Sequence, residues 1–426
     1  MWSGSHFPAL QLCMVLFPLL ATSATAADDN PYRLKPGARG PVCLDCHSDL
    51  QDQMQLSSVH TPVKSGECSD CHNPHASAHG QLLDADPATI CAGCHSDLLP
   101  AEPVSVHAAL ADEGCARCHD PHASPNANNL LQAGNQLCYT CHEEMQAEVE
   151  GEEFQHAPVV DDCLACHDPH ASGVAVSLLK QDVGSLCADC HDAARESFVQ
   201  RHDGYPVAGS DCTSCHDPHG SGRSGILLAR LHEPVANGMC KQCHQDASAE
   251  EPLQMRRPGI SLCAGCHNSV LNELHSRNQL HWPVVEGAAC ANCHEPHGSD
   301  EAALLVAAPD DLCGGCHAET IEARVASLDQ HPPVAQGQCS ACHEPHAADA
   351  PFLLQASDDL QLCGGCHDWQ THSSHPIGPE IVDPRNPNLT LDCSSCHRPH
   401  GSPFKGLAHL DLGGEMCVQC HEQMQR

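Results

Sequence analysis

Aromatic residues are nearly absent, with 3 Trp, 3 Tyr and 6 Phe among 426 residues. A chain this long ordinarily holds two or more domains, each built on large apolar side chains, and too few are present here to fill such cores. Proline and glycine, 32 and 31 residues, interrupt long helices and strands. Basic residues are scarce as well: 19 Lys and Arg stand against 55 Asp and Glu, a formal charge of −36. That balance argues against a nucleic-acid or anionic-lipid surface and keeps the chain soluble. No Gly-rich phosphate loop and no hydrolase triad is found. Either the chain is disordered, or something other than side chains occupies its interior.

Long hydrophobic runs are missing after the first residues. Phe7 to Ala21 is apolar and Ala24-Thr25-Ala26 offers a small-residue cleavage site, so residues 1–27 read as a signal peptide, although no Lys or Arg precedes the run. The run is short of the ~20 residues a membrane span needs. Cys13 is removed with it. The mature chain is expected to be exported, to hold no transmembrane segment, and to reside in the periplasm, with the cell surface or the extracellular space as further possibilities.

What the chain does have is 33 Cys and 36 His. Apart from Cys13, every cysteine falls in a C-x-x-C-H. In the first half these are Cys43 and Cys46, Cys68 and Cys71, Cys91 and Cys94, Cys115 and Cys118, Cys138 and Cys141, Cys163 and Cys166, Cys187 and Cys190, and Cys212 and Cys215. The second half adds Cys240 and Cys243, Cys263 and Cys266, Cys290 and Cys293, Cys313 and Cys316, Cys339 and Cys342, Cys363 and Cys366, Cys393 and Cys396, and Cys417 and Cys420. C-x-x-C-H is the attachment signal for c-type haem. Two thiols on one turn add across the porphyrin vinyl groups, and the following histidine sits beneath the iron as its axial ligand. The proximal ligands are then His47, His72, His95, His119, His142, His167, His191, His216, His244, His267, His294, His317, His343, His367, His397 and His421. Zinc would call for four ligands per site, and disulfides would need no histidine after each second Cys. Sixteen covalent haems, iron included, are expected, and they explain the missing aromatics.

Seven motifs continue as C-x-x-C-H-x-P-H, adding His75, His122, His170, His219, His297, His346 and His400. Such a histidine cannot reach the far face of its own porphyrin, because three residues span at most ~10 Å, and the proline turns the chain away from helix. It is presented to a neighbouring iron. Eight more histidines lie upstream of a motif, often in H-x-P-V: His60, His107, His156, His202, His232, His281, His331 and His375. His409 sits before Cys417 at the offset of His232 from Cys240. Together these supply sixteen distal candidates for sixteen irons. His79, His275 and His372 are surplus and are read as surface or propionate-contacting residues. Met239 and Met416 are axial alternatives that read better as packing.

First cysteines recur every 23 to 30 residues, a tandem repeat. Motifs without the trailing P-H alternate with those that carry it, which suggests dihaem modules such as Cys43 to His75, with the Cys240 and Cys417 motifs left solitary. In this reading the trailing histidine caps the first haem of its own module and the middle one caps the second. The lead-ins at Cys43 and Cys263 match, as in an unequal duplication. The expected division is an N-terminal nonahaem region at 28–250 and a C-terminal heptahaem region at 251–426. The fold class is mostly irregular with short α-helices, an extended tandem of haem-cored dihaem modules, no significant β-sheet, and a longer helix at Leu271 to Gln279.

The paired C-x-x-C-H-x-P-H modules resemble the paired-motif multihaem cytochromes c, which include periplasmic decahaem cytochromes of metal-reducing bacteria and the small pentahaem donor to nitrite reductase. The resemblance implies bis-histidine haems stacked in a chain that carries electrons across or along the cell envelope in anaerobic or extracellular respiration. It also implies other redox proteins as partners: a quinol-linked inner-membrane donor and a periplasmic or outer-membrane cytochrome acceptor. Sixteen motifs exceed those relatives. Filled axial positions favour an electron carrier with no catalytic residues over two alternatives, a multihaem reductase of nitrogen or sulfur oxyanions and a subunit of an extracellular cytochrome filament.

Overall fold

The computed structural model describes residues 40–112, 114–368 and 375–421. Residues 1–27, read from the sequence as a signal peptide, and His372 lie outside them. Two compact units are present, one built from residues 40–96 and 114–131, the other from 97–112 and 132–421. The expected division at 250/251 falls inside the second unit. Among the described residues no helix is long and apolar enough to cross a membrane.

The chain is mostly irregular and carries short helices, as expected. Each upstream H-x-P-V starts one. His60 holds extended ψ at the N-cap, and Thr61–Lys64 follows with Pro62 in the first turn, where a missing N–H costs nothing. Gly66 then ends the segment at φ 75°, a left-handed conformation that only glycine adopts freely. The longest helices follow proximal histidines: Glu143–Gly151, Asn268–Ser276 and Ala318–Val325. The second begins three residues before the expected Leu271. It stops at Ser276, short of Gln279, because Gln279–Leu280 pairs as a strand instead.

Among the described residues, strand pairing is confined to two-residue ladders, isolated bridges and one hairpin. The ladders join the residues before an upstream histidine to those after a trailing one: Ser58–Val59 with Ala123–Ser124, Ser105–Val106 with Ala171–Ser172, and Phe154–Gln155 with Gly220–Ser221. Arg230–Leu231 pairs in the same way with Gly298–Ser299, and Gln279–Leu280 with Ala347–Ala348. The hairpin, Gly378–Asp383 with Asn386–Leu391, was not foreseen. Asp383 is buried in its turn and holds the Arg385 guanidinium through Nη2 at 2.6 Å and Nε at 2.9 Å.

The polypeptide supplies little core. Buried apolar side chains among the described residues are mostly alanines, such as Ala123, Ala171, Ala347 and Ala408, and a small cluster forms around Leu274 and Val284. The largest fully buried side chain is Ser402.

Candidate haem ligand sites

Each motif is a single tight turn. In the Cys68 motif the Cys71 and His72 amides both return to the Cys68 carbonyl, at 3.4 and 3.0 Å. The i to i+4 bond also ties His47 to Cys43 and His421 to Cys417, each at 2.9 Å. Second cysteines follow the same rule along the chain. The amides of Cys118, Cys141, Cys190 and Cys316 each donate to the first cysteine's carbonyl at 3.2 Å, those of Cys266 and Cys366 at 3.1 Å, and that of Cys420 at 3.3 Å. The turn therefore presents two thiols and one imidazole on one side, which is the arrangement haem attachment requires. No attachment cysteine is in a disulfide.

After the turn the chain folds back. His72, His119, His294 and His343 bridge to Leu83, Leu130, Leu305 and Leu354. The preceding residues take left-handed φ, for example Gln81 and Asn128 at 50° and 55°. This geometry aims a carbonyl at the proximal ring. Nδ1 of His72 lies 2.9 Å from the Gln81 oxygen, that of His119 2.8 Å from Asn128, and that of His167 2.8 Å from Ser177. A carbonyl only accepts, so Nδ1 carries the proton and the Nε2 lone pair is left for a metal. A backbone acceptor behind a ligating imidazole also fixes the ring and raises its basicity. Nothing in the reading of the motifs anticipated this loop. Its signal was present as a recurring Leu-Leu ten to twelve residues after the histidine: Leu82-Leu83, Leu130-Leu131, Leu178-Leu179, Leu227-Leu228, Leu304-Leu305 and Leu353-Leu354.

The fold-back also divides the attachment thiols, which the sequence had treated as equivalent. Cys46, Cys94, Cys141, Cys190, Cys266, Cys316 and Cys366 are exposed, and all belong to motifs without a P-H tail. Where the chain folds back, an amide of the returning segment bonds the second cysteine's carbonyl and covers that residue. Leu131 does so to Cys118 at 2.9 Å, Lys180 to Cys166 at 3.0 Å and Arg256 to Cys243 at 2.8 Å, and these cysteines are half-buried. Cys420 is half-buried by other means, next to Cys396 and Arg385. A polypeptide interior enclosing every thiol is therefore not what forms: seven stand at its surface.

Attachment thiols of several consecutive motifs lie near one another, first cysteine with first or second with second. Burial raises the Cys68 thiol, with Cys43 beside it; burial raises Cys71, with Cys94 near. Further neighbours are Cys263 with Cys290 and Cys293 with Cys316. Cys166 with Cys190, Cys243 with Cys266, Cys342 with Cys366 and Cys396 with Cys420 are further second-cysteine neighbours.

Upstream histidines are held by the same logic as proximal ones, with different partners. Nδ1 of His60 meets the Pro121 carbonyl at 3.0 Å, that of His107 meets Pro169 at 3.1 Å, and that of His156 meets Pro218 at 2.9 Å. His232 and His281 repeat this with Pro296 and Pro345. The prolines of five x-P-H tails therefore orient the imidazoles of upstream histidines some sixty residues earlier. Trailing histidines are fixed by the residue two positions before, through an Asx-type turn. The amides of His122, His170 and His219 donate to carboxylates of Asp120, Asp168 and Asp217 at 2.8 to 2.9 Å. Burial holds the imidazoles of His122, His346 and His400 below the ordinary histidine range, favouring the neutral form that binds metal. A serine two residues further on, unremarked in the sequence, donates to the fold-back loop: Ser172 to the Leu179 carbonyl at 2.6 Å, and Ser402, fully buried, to Ala408.

The rings meet in pairs. Proximal histidines with an x-P-H tail face the trailing histidine of the following x-P-H motif: His72 with His122, His167 with His219, His294 with His346 and His343 with His400, at 6.0 to 6.3 Å between centroids. His244, which has no tail of its own, faces His297 in the same way at 6.0 Å. The other proximal histidines face the upstream histidine some 35 residues back. These are His95 with His60, His142 with His107, His191 with His156, His267 with His232, His317 with His281 and His367 with His331, at 5.9 to 6.2 Å. His216 faces His202 at 6.4 Å and His421 faces His375 at 6.2 Å.

This spacing decides what belongs between the rings. Stacked rings in direct contact would sit with atoms about 3.5–4.0 Å apart. Two imidazoles on one metal, with bonds of about 2.0 Å, place their ring centres about 6 Å apart. Thiols one turn away, tautomers fixed with Nε2 free, and exposed apolar side chains on the fold-back loops (Leu82 45%, Leu131 47%, Val306 48%) all fit a haem c held between two histidines.

Several expectations change. Trailing and middle histidines do not cap within the modules drawn from the sequence: His60 faces His95 rather than His72, because its ladder with Ala123–Ser124 carries it towards the next motif. His232 faces His267 rather than its nearest motif's His244, so the Cys240 motif is not a self-sufficient solitary one. His409 has both ring nitrogens engaged by neighbouring groups. Its Nδ1 accepts from Arg398 Nε at 3.0 Å, and its Nε2 donates to the Ser394 carbonyl at 2.8 Å. The His75 amide donates to Asn73 at 3.1 Å. Of the surplus histidines, His275 bonds its own helix at Leu271 and His79 is exposed.

Turns bearing two thiols and an imidazole, repeated along a chain with paired rings, define a multihaem c-type cytochrome. The chain belongs to the doubled CXXCH motif family, which matches residues 60–99, 107–147, 156–196, 205–230, 232–271, 281–322, 331–372 and 386–426. These motifs imply about sixteen covalently bound haem c groups. No curated protein matches the chain. Most family repeats begin at the upstream histidine and span the next two motifs, one motif out of phase with the modules read from the sequence. In that phase each upstream histidine that opens a repeat faces the second proximal histidine of its own repeat, as the rings show.

Proposed function

We propose that the protein is an exported hexadecahaem electron carrier, working in the cell envelope between a quinol-linked inner-membrane donor and a periplasmic or outer-membrane cytochrome acceptor. A haem iron held between two imidazoles takes up and returns one electron with little change of ligation. The observation that carries the reading is the ring pairing. At least thirteen proximal histidines face a second histidine at 5.9 to 6.4 Å, each pair suited to one iron with both axial positions filled. His72, His167, His294 and His343 bring a free Nε2 to the site because a carbonyl holds the Nδ1 proton. Filled positions favour electron transfer over chemistry at the metal, and adjoining thiols keep consecutive attachment sites close. The apolar run and cleavage site in residues 1–27 support export, and an acidic surface suits basic docking partners.

The test is stoichiometry and titration of the secreted protein. Intact mass should show sixteen haems, ~9.9 kDa above the polypeptide at ~616 Da each, and potentiometry should show the haems titrating as low-potential, low-spin centres. Fewer haems with free thiols, or a majority of high-spin centres, would overturn it.

A further inference from the structure

Trailing histidines share a turn and differ in what lies behind the ring. The residue after the proximal histidine accepts from the trailing amide, as Asp120, Asp168 and Asp217 do for His122, His170 and His219. An aspartate reaches little further. The Asp168 and Asp217 carboxylates lie 3.8 and 3.7 Å from Nδ1 of His170 and His219, beyond hydrogen-bond distance. In the Cys290 motif the same position is Glu295, one methylene longer, and it reaches both groups. A single carboxylate oxygen accepts from the His297 amide at 3.2 Å and from Nδ1 of the His297 ring at 2.9 Å. A carboxylate only accepts, so Nδ1 carries the proton and the Nε2 lone pair is left for a metal.

The His297 ring faces His244 at 6.0 Å with 5° between the planes. Behind His244 stands a neutral acceptor, the Leu253 carbonyl, 2.7 Å from Nδ1. The backbone of the tail is also held. The His297 carbonyl accepts from the His232 amide at 2.9 Å, and the Pro296 carbonyl meets Nδ1 of His232 at 3.0 Å. Glu295 and His297 are both half-buried. Burial pushes the Cys215 thiol up to about 11, and the Glu295 carboxylate beside it adds to the rise. In such surroundings a charge-assisted bond is stronger than it would be in water.

We infer that Glu295 is a positioning residue whose carboxylate, bonded to Nδ1 of His297, lowers the reduction potential of the haem held by Cys240, Cys243 and His244. This rests on the multihaem reading above and adds a site where the electron is less readily held. An imidazole whose proton is shared with a charged acceptor is the more basic ligand, and a stronger donor favours ferric iron.

The experiment is redox titration of the secreted holoprotein, followed by visible and electron paramagnetic resonance spectra, with intact mass taken on the same samples. Glu295→Gln keeps the length and an acceptor but removes the charge. One haem should become easier to reduce by about tenfold, which is about 59 mV for one electron, with haem count and low-spin state unchanged. Glu295→Asp keeps the charge and the turn, as in the Asp168 and Asp217 tails, and loses the ring bond. It should shift the same haem upward by less, whereas a purely structural role would leave it as in wild type. In a Cys240→Ser, Cys243→Ser background, with one haem fewer, Glu295→Gln should no longer give the tenfold shift. Should that background fail to mature, the Glu295→Asp titration decides alone. No shift in Glu295→Gln, a wild-type titration in Glu295→Asp, or a tenfold shift that survives loss of the Cys240 haem overturns the inference. With the full haem count in wild type, each of these leaves the electron-carrier reading standing. Missing haems and free thiols in wild type overturn both.

Discussion

The repeats at 156–196 and 205–230 adjoin in sequence and complete their irons by different means. In the first, His156 faces His191 of the same repeat, and His167 is faced by His219 from the next. The second repeat has one motif only. Where its neighbours open with histidine it opens with Tyr205, buried at 7% exposure, edge-on to His244 and donating its hydroxyl to the Gln245 carbonyl at 2.8 Å. The absent second motif and the absent opening histidine belong together: with no second iron in the repeat, no ligand for it is kept. The Cys240 motif that follows lacks a P-H tail, so nothing arrives from the next repeat to face His216. His202 does so instead, from the end of the helix Glu196–Arg201, its Nδ1 tied to the Phe198 carbonyl at 2.9 Å and its ring against Phe198. The two rings are tilted by 58°, against 14° at His167 and His219. Capping of a first-motif ring is thus a relation between repeats, and where the relation lapses a local helix replaces it.

The largest expected effect removes the iron sites from both regions at once. Produced without haem-attachment machinery, the chain should be disordered and protease-sensitive throughout, because its buried apolar side chains are mainly alanine. A cooperative melt of the apoprotein, or selective survival of the 156–230 region, would break the comparison.

Single caps come next. His219→Ala should turn one low-spin haem, that of Cys163, high-spin and open to carbon monoxide. His202→Ala should do the same at Cys212, and each should leave the other's spectrum unchanged. The 58° tilt should also give the Cys212 haem an electron paramagnetic resonance signal distinct from the nearly parallel pairs, lost in His202→Ala alone.

How far the sequence reached is clear from these residues. The C-x-x-C-H turns and most of the histidines found in ring pairs could be picked out directly, because haem attachment calls for a fixed local spacing. Irregular chain with short helices followed from proline, glycine and the shortage of large side chains. The phase of the repeat could not be read this way. Modules were drawn between motifs adjacent in sequence, whereas two-residue ladders such as Ser58–Val59 with Ala123–Ser124 pair residues far apart, and two residues of strand leave no periodicity to detect. The split between exposed thiols such as Cys141 and covered ones such as Cys118 escaped for a related reason, since it depends on where the chain returns after the motif. His409 matched an offset, yet Arg398 and the Ser394 carbonyl occupy both of its nitrogens. Tyr205 was the available clue to phase, visible only once the repeats are aligned on their opening histidine.

A smaller effect belongs to the last repeat, 386–426, which opens with Asn386. There His375, just before the hairpin, faces His421, and the hairpin is pinned by Asp383. Its bonds to Arg385 hold the Asp383 carboxyl below the ordinary range. A depressed carboxylate contributes stability above its unfolded pKa and loses it as pH falls through the folded one, so the hairpin should loosen only at acid pH. Asp383→Asn should cost about 1–3 kcal/mol locally at neutral pH and remove that acid dependence, read by hydrogen exchange across 378–391. An unchanged exchange profile would remove the hairpin from the account.

The smallest effect is at Tyr205. Tyr205→Phe should cost about 1 kcal/mol through the lost hydroxyl bond with no change in any spin state. A new high-spin haem in that variant would mean the ring acts as a ligand and not as packing.

The most direct test of the capping register is His60→Ala combined with removal of one haem at a time. His60→Ala should create one carbon monoxide-binding haem beyond the wild-type number. Adding Cys91→Ser with Cys94→Ser should abolish that extra binding, because the iron facing His60 is the one beneath His95; adding Cys68→Ser with Cys71→Ser should not. If the extra binding survives loss of the Cys91 site and disappears with the Cys68 site, His60 caps within the adjacent motif and the register described here is wrong.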